Sequence, residues 1–230
     1  LVLGGGGAKG IAHVAAIEVL EEAGIPIDYI VGCSSGSIVG ALYASRVDIK
    51  AIKVLLFEAK AKQIIESRTI PKKLGFMKHD RLREFLDKNL GATDFNDLRI
   101  PLTIVATDLI KGEIVTFEDG ALAPAIVASS SVPVLFEPVK YDNKILVDGG
   151  VVAALPVKTA KKKNPAMIIA IDISNDLPKK IPGDFISIAS RSLKIMHKEL
   201  SKLQQAEADI VISNPPWGVQ TYGADRAFID

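Results

Sequence analysis

Residues 27–36 read Ile27-Asp28-Tyr29-Ile30-Val31-Gly32-Cys33-Ser34-Ser35-Gly36, and a small-residue apolar run continues to Ala44. Ile27 to Val31 is a strand candidate and 37–44 a helix candidate. Between them, Gly32-Cys33-Ser34-Ser35-Gly36 fits G-x-S-x-G in the strand-to-helix context that this pattern requires. A turn that sharp strains the serine backbone and exposes its hydroxyl. Gly32 and Gly36 keep side chains out of the turn, and the following helix aims its N-terminal N–H groups and positive dipole end at the same point. Ser34 is thereby placed to attack a carbonyl. The bland alternative is a small-residue turn with no chemistry. Cys33 is a rival nucleophile on paper, but the turn points its side chain elsewhere, and a small buried apolar role suits it better.

Working outward, apolar β-type runs alternate with helical patterns. Further strands are expected at Leu1 to Leu3, 101–106, 114–117, 145–147, 167–171 and 210–212. Helices are expected over 11–23 and near 49–66, 80–90, 121–129, 156–163 and 185–205. Continuous apolar strands alternating with helices predict a largely parallel α/β sheet covered on both faces, a three-layer α/β/α architecture. No internal repeat or linker composition interrupts the 230 residues, so one domain over 1–230 is expected. Lys and Arg number 28 against 27 Asp and Glu, a net charge of +1, so nucleic-acid binding over the whole surface is not indicated. The one cysteine excludes an intramolecular disulfide framework and favours a cytoplasmic setting. No apolar run is long enough for a membrane-spanning helix. The chain starts at Leu1 inside an apolar segment, which reads as a trimmed start.

Residues 60–88 differ from the rest. They hold nine Lys and Arg against four acids, a local net charge of +5. A solvated cap-like insertion is the first reading. The second is a patch that meets an anionic lipid surface and leaves the chain peripheral to a membrane.

A second motif lies at the start. Gly4-Gly5-Gly6-Gly7-Ala8-Lys9-Gly10 follows a strand and opens a helix, an arrangement that leaves N–H groups open to an anion. Gly5-x-Gly7-x-x-Gly10 has dinucleotide-binding spacing, but no acid ends the next strand, where the ribose hydroxyl would need one. Lys9-Gly10-Ile11 does not provide the Gly-Lys-Ser/Thr of a nucleotide phosphate loop. The remaining use is an oxyanion hole.

Ser34 needs a base. Asp148, at the end of the short strand 145–147 and followed by Gly149 and Gly150, is placed for that task, although an ordinary Asp-Gly turn looks the same in sequence. The order Ser34, Asp148, His197 also fits a hydrolase triad. However, His197 lies on the flank of the helical apolar stripe Phe185, Ile188, Ala189, Leu193, Met196, Leu200 and Leu203, whereas such histidines usually sit on loops. It is therefore read as a surface or groove residue. No cluster of His, Cys and acidic side chains has metal-ligand spacing.

With Gly5-Gly6-Gly7-Ala8-Lys9-Gly10, Gly32-Cys33-Ser34-Ser35-Gly36 and Asp148-Gly149-Gly150 in this order, the chain resembles the patatin-like phospholipases, a lipid acyl hydrolase family. Ile11-Ala12-His13-Val14, Ala106-Thr107-Asp108-Leu109, Ala128 to Pro133, Phe136-Glu137-Pro138-Val139 and Leu155-Pro156-Val157 extend the likeness over most of residues 1–215. The resemblance implies a three-layer α/β fold, Ser34 as nucleophile, Asp148 as base and the N–H groups of Gly5, Gly6 and Gly7 as the oxyanion hole. It implies loop support from Lys9, Gly10, Gly32, Gly36, Gly149 and Gly150, and gives His13 a structural role and Asp108 a turn. A fatty-acyl ester or lipid would be the substrate, with no cofactor and no calcium. Two departures stand out. Cys33 and Ser35 replace Thr and Ala, and Ala153-Ala154 precede Leu155-Pro156 where an Asn is implied. The second keeps open a catalytically impaired lipid-binding or regulatory role; a dinucleotide-binding protein is the remaining alternative.

Overall fold

A computed structural model describes residues 1–61, 78–174, 177 and 182–213. Its centre is an eight-stranded mixed sheet with helices on both sides. The strands are β1 (Val2–Leu3), β2 (Ile30–Cys33), β3 (Leu102–Asp108), β4 (Glu113–Phe117), β5 (Val139–Tyr141), β6 (Lys144–Asp148), β7 (Ile169–Asp172) and β8 (Ile210–Ser213). The spatial order is β5-β6-β3-β2-β1-β7-β8, and β4 pairs with β3 off this path. From β3 through β2, β1 and β7 to β8 every pairing is parallel; β4, β6 and β5 add antiparallel neighbours. The expected largely parallel core is present, and the antiparallel margin includes β5, which three residues of mixed polarity left unmarked. Ile27 to Tyr29 fall outside β2, which instead runs on to Cys33 and delivers the chain directly into the serine turn.

The helices are α1 (Ile11–Glu22), α2 (Ser35–Ala44), α3 (Ile49–Ala61), α4 (Asp80–Asn89), α5 (Leu122–Ser129), α6 (Val157–Lys161) and α7 (Phe185–Gln205). The stretch expected to continue α3 to residue 66, and most of the basic segment 60–88, lie outside the described residues. Successive strand residues point to opposite faces. Leu3, Ile30 and Ile104 accordingly enter one core with α1, α2 and α5, while Val2, Val31 and Val105 enter another with Leu155, Val157, Ala160 and Ile168. Every residue of α2 is buried. Its small residues allow it to lie close against β2, which fixes the serine turn from behind.

Part of the apolar stripe of α7 faces outward. Phe185 is 83% and Leu203 74% exposed, and Ile188 and Met196 are more than half exposed, whereas Ser201 and Gln204 are buried. The reason is polar satisfaction. Asp172 ends β7 almost fully buried, and a buried carboxylate needs donors. Ser201 Oγ donates to its Oδ2 at 2.8 Å, Gln205 Nε2 to the same oxygen at 2.5 Å, and the Ser174 N–H to Oδ1 at 2.7 Å. Those bonds set which face of α7 turns inward.

Candidate active site

Ser34 stands between β2 and α2 with φ +53° and ψ −122°, a conformation that costs a non-glycine residue about 1–3 kcal/mol and persists only where its surroundings impose it. The surroundings are visible. The Ser34 N–H donates to Ser129 Oγ at 2.8 Å, and its carbonyl accepts from the Ser37 N–H at 2.9 Å and from Ser37 Oγ at 2.6 Å. The Ser34 side chain makes no capping bond to α2, which leaves its hydroxyl available. Close packing holds the turn. A methyl group at Gly36 would overlap the Leu3 carbonyl, and one at Gly32 would press on the Gly36 carbonyl at 2.8 Å. A methyl group at Gly10 would likewise lie 2.9 Å from Ser35 Cβ.

β3 brings the partner. Cys33, the last residue of β2, pairs with Val105; the next residue of β3, Ala106, pairs with Asp148. As β2 turns away at Ser34, the end of β6 takes its place beside β3, so two residues 114 positions apart meet at one strand end. The Asp148 N–H donates to the Ser131 carbonyl at 2.9 Å, and its carbonyl accepts from Thr107 Oγ1 at 2.9 Å. Oδ1 accepts from the Gly150 N–H at 2.7 Å, a bond made within the turn Gly149–Val151. A methyl group at Gly149 would overlap the Val105 carbonyl, so this turn sits as tightly on β3 as the serine turn does on β1.

Asp148 is 5% exposed. Burial pushes its pKa up to about 6, against the nearby Ser34 hydroxyl and the hydrogen bond from the Gly150 N–H, which favour the charged form. Oδ2 is buried without a geometrically complete hydrogen bond, an acceptor left open beside Ser34. A carboxylate poised near neutrality is suited to take and return a proton. Cys33 Sγ lies 4.0 Å from Oδ1, and its thiol is pushed well above its ordinary pKa by burial first and the Asp148 charge second. It stays protonated and is a poor nucleophile.

The glycine loop needs one correction. The Gly5 N–H donates to the Ala154 carbonyl at 2.9 Å, so it is not free to meet an oxyanion. The Gly6 and Gly7 N–H groups have no acceptor among the described residues, and neither does that of Ser35, the first residue of α2. Ser35 escaped the sequence reading, although the first N–H groups of a helix lack intrahelical acceptors by construction. Lys9 lies in the short turn Gly7–Gly10, and its charge acts on His197. His13 is fully buried, with Nε2 at 2.8 Å from the Gly4 carbonyl, and burial lowers its pKa to about 4. Asp108 Oδ1 accepts from the N–H groups of Ile110 at 2.9 Å and Lys111 at 3.2 Å, which makes the expected turn.

The Ala153-Ala154 departure is answered from elsewhere in the chain. Both alanines are buried, and Gln204 of α7 reaches their loop. Its Oε1 accepts from the Leu155 N–H at 2.8 Å and its Nε2 donates to the Val152 carbonyl at 3.3 Å. An amide is therefore present at the loop, carried by a residue of α7 49 positions beyond Leu155.

His197 is half-buried and takes the groove placement expected of it. Its ring packs on Gly5 and Gly150, beside both Ser34 and Asp148, and it is pushed below its ordinary pKa mainly by burial.

The profile of the patatin-like phospholipases matches residues 1–161, a span that contains the glycine loop, the serine turn and the Asp148 turn. The chain belongs to the patatin-like phospholipase family. Over 182 residues this patatin-like chain is 34% identical to an uncharacterized NTE family protein of Mycobacterium tuberculosis, covering 76% of this chain and 48% of that protein. Over 180 residues it is 34% identical to lysophospholipase NTE1 of Meyerozyma guilliermondii, covering 76% of this chain and 12% of the yeast protein. The chain thus spans about half the length of the mycobacterial relative and about an eighth of the yeast one. Superposition on the crystal structure of VipD from Legionella pneumophila gives a TM-score of 0.47 at 18% identity, over 64% of this chain and 45% of that one.

Proposed function

We propose that this patatin-like chain is a serine lipid acyl hydrolase, of phospholipase A, lysophospholipase or carboxylesterase type, that acts through a Ser34–Asp148 dyad and an acyl-serine intermediate. The observation that carries the reading is the meeting of a strained serine turn and a buried, proton-poised carboxylate at adjacent positions along β3. Similarity to a lysophospholipase at 34% identity supports a lipid ester as the substrate class.

Asp148 takes the proton of Ser34 as Oγ attacks the acyl carbon of a fatty-acyl ester. The carbonyl π electrons move to oxygen, and the N–H groups of Gly6, Gly7 and Ser35 face the developing charge. The tetrahedral centre collapses with loss of the alcohol or lysolipid, which receives the proton from Asp148. Water then attacks the acyl-serine, giving its proton to Asp148; the fatty acid leaves as Ser34 is reprotonated. Each step balances within the dyad, the ester and water.

The test is turnover of p-nitrophenyl esters of rising chain length by the wild type and by Ser34→Ala, with EDTA present. Hydrolysis that rises with chain length and disappears in the variant supports the reading. Equal hydrolysis by a folded Ser34→Ala overturns it.

A further inference from the structure

His197 occupies a place that the dyad mechanism does not use. Two glycines, from different ends of the site, make room for its ring. A side chain's first carbon at Gly5 would lie 2.9 Å from His197 Nε2, 3.4 Å from Ser34 Cβ and 3.5 Å from Cys33 Sγ. A first carbon at Gly150 would lie 2.9 Å from His197 Nε2, 2.7 Å from its Cδ2 and 2.9 Å from Asp148 Oδ1. One edge of the imidazole therefore fronts the nucleophile on one side and the base on the other, across positions that glycine leaves open.

The placement is enforced. α7 is tied to the sheet by Ser201 and Gln205 on Asp172 and by Gln204 on the Val152 to Leu155 loop. Residues four and seven apart share a helix face. His197, Ser201 and Gln204 are so spaced, and fixing the second and third aims the first at the glycine loop. The Gly5 N–H is engaged by Ala154, so a donor on the ring would add to those of Gly6, Gly7 and Ser35 rather than repeat Gly5.

The geometry points to His197 as a catalytic residue of this site, a neutral imidazole that donates an Nε2–H hydrogen bond to the ester oxygens as negative charge develops on them. The assignment rests on the Ser34–Asp148 reading and adds a side-chain donor to it. No proton is transferred to or from the ring, so the balance of the reaction is unchanged. Burial, with the Lys9 charge acting in the same direction and Asp172 opposing, holds the ring below its ordinary pKa and favours the neutral form. A neutral imidazole carries one N–H, and side-chain donors of this kind stabilise acyl-transfer transition states.

Three variants test it: His197→Phe keeps a ring without a donor, His197→Gln keeps a donor without a ring, and His197→Ala removes both. The readouts are kcat and KM on a p-nitrophenyl ester, the rate at which a fluorophosphonate labels Ser34, and the thermal midpoint. Labelling forms the Oγ–P bond and expels fluoride, with the Ser34 proton going to Asp148, and places a phosphoryl oxygen where the oxyanion forms. The expected result is a kcat and labelling rate lowered about 10²–10³-fold in the Phe and Ala variants. Gln should recover at least tenfold, with KM nearly constant. A Phe variant as fast as wild type overturns the assignment and leaves His197 a packing residue. A Gln variant no better than Phe overturns it as well, because a donor in place of the ring then recovers nothing. Wild type that neither turns over esters nor labels at Ser34 overturns the dyad reading itself, a result distinct from either of these.

Discussion

The Ser129 hydroxyl accepts the Ser34 N–H at 2.8 Å, a bond from the C-terminal end of α5 to the residue at the apex of the serine turn. It satisfies a buried donor that an ordinary strand-to-helix connection would leave without a partner, and it holds the positive φ of Ser34 in place. Ser129→Ala removes the acceptor and keeps the volume. Orphaning a buried N–H costs about 1–3 kcal/mol, so the thermal midpoint should fall by roughly 2–12 °C. With Ser34 less firmly aimed, kcat should drop by about one to two orders of magnitude. Unchanged kcat in a destabilised variant would show that the turn holds Ser34 without this bond.

Gln204 is expected to matter out of proportion to its distance from the chemistry. Gln204→Leu leaves the Leu155 N–H without its acceptor and the Val152 carbonyl without its donor. The loop that also supplies the Ala154 carbonyl to Gly5 should loosen, at a cost of about 1–3 kcal/mol. Gln204→Glu keeps the Leu155 acceptor and should retain more activity than Gln204→Leu. Denaturant midpoints and ester turnover of the two variants, side by side, check this.

The pH dependence follows from Asp148. Its pKa is pushed up to about 6 by burial, above the unfolded value near 4. The folded state therefore holds the proton more tightly than the unfolded chain between about pH 4 and 6. On this account the Asp148 contribution to stability is greatest at the acid end, falls as pH rises through 6, and stays low above that. Asp148→Asn removes the charge, so it should stabilise the protein relative to wild type at pH 7 by up to about 3 kcal/mol, with the difference vanishing near pH 4. The same ionisation should give kcat/KM an acid limb centred near pH 6, and Asp148→Asn should cost at least 10²-fold in kcat. A thermal-shift series against pH for both proteins, with a pH–rate profile of the wild type, tests the sign and the position together.

Gly36→Ala probes the fit of α2 against the sheet. The added methyl group meets the Leu3 carbonyl of β1, which cannot move without breaking its pairing with β2 and β7. Overpacking of this kind costs about 1–3 kcal/mol. Part of that should appear as displacement of Ser34, so fluorophosphonate labelling should slow even in the fraction that remains folded. A labelling rate equal to wild type would mean that the helix shifts without carrying the serine.

The sequence by itself determined the three-layer architecture, because strands that bury both faces must be apolar at every position and helices must show a 3.6-residue period. It also marked Ser34, the glycine loop and Asp148, since each depends on local backbone geometry that only particular residues tolerate. Tertiary structure decided the rest. The meeting of Ser34 with Asp148 depends on Cys33 and Asp148 holding neighbouring places along β3, and strand register is not a local property. The loss of Gly5 as a donor depends on Ala154, and the position of His197 on the partners that Asp172 finds in Ser201 and Gln205. A period of apolar residues identifies a helix, but where buried polar groups need partners, as along α7, hydrogen bonding decides which side of it faces in.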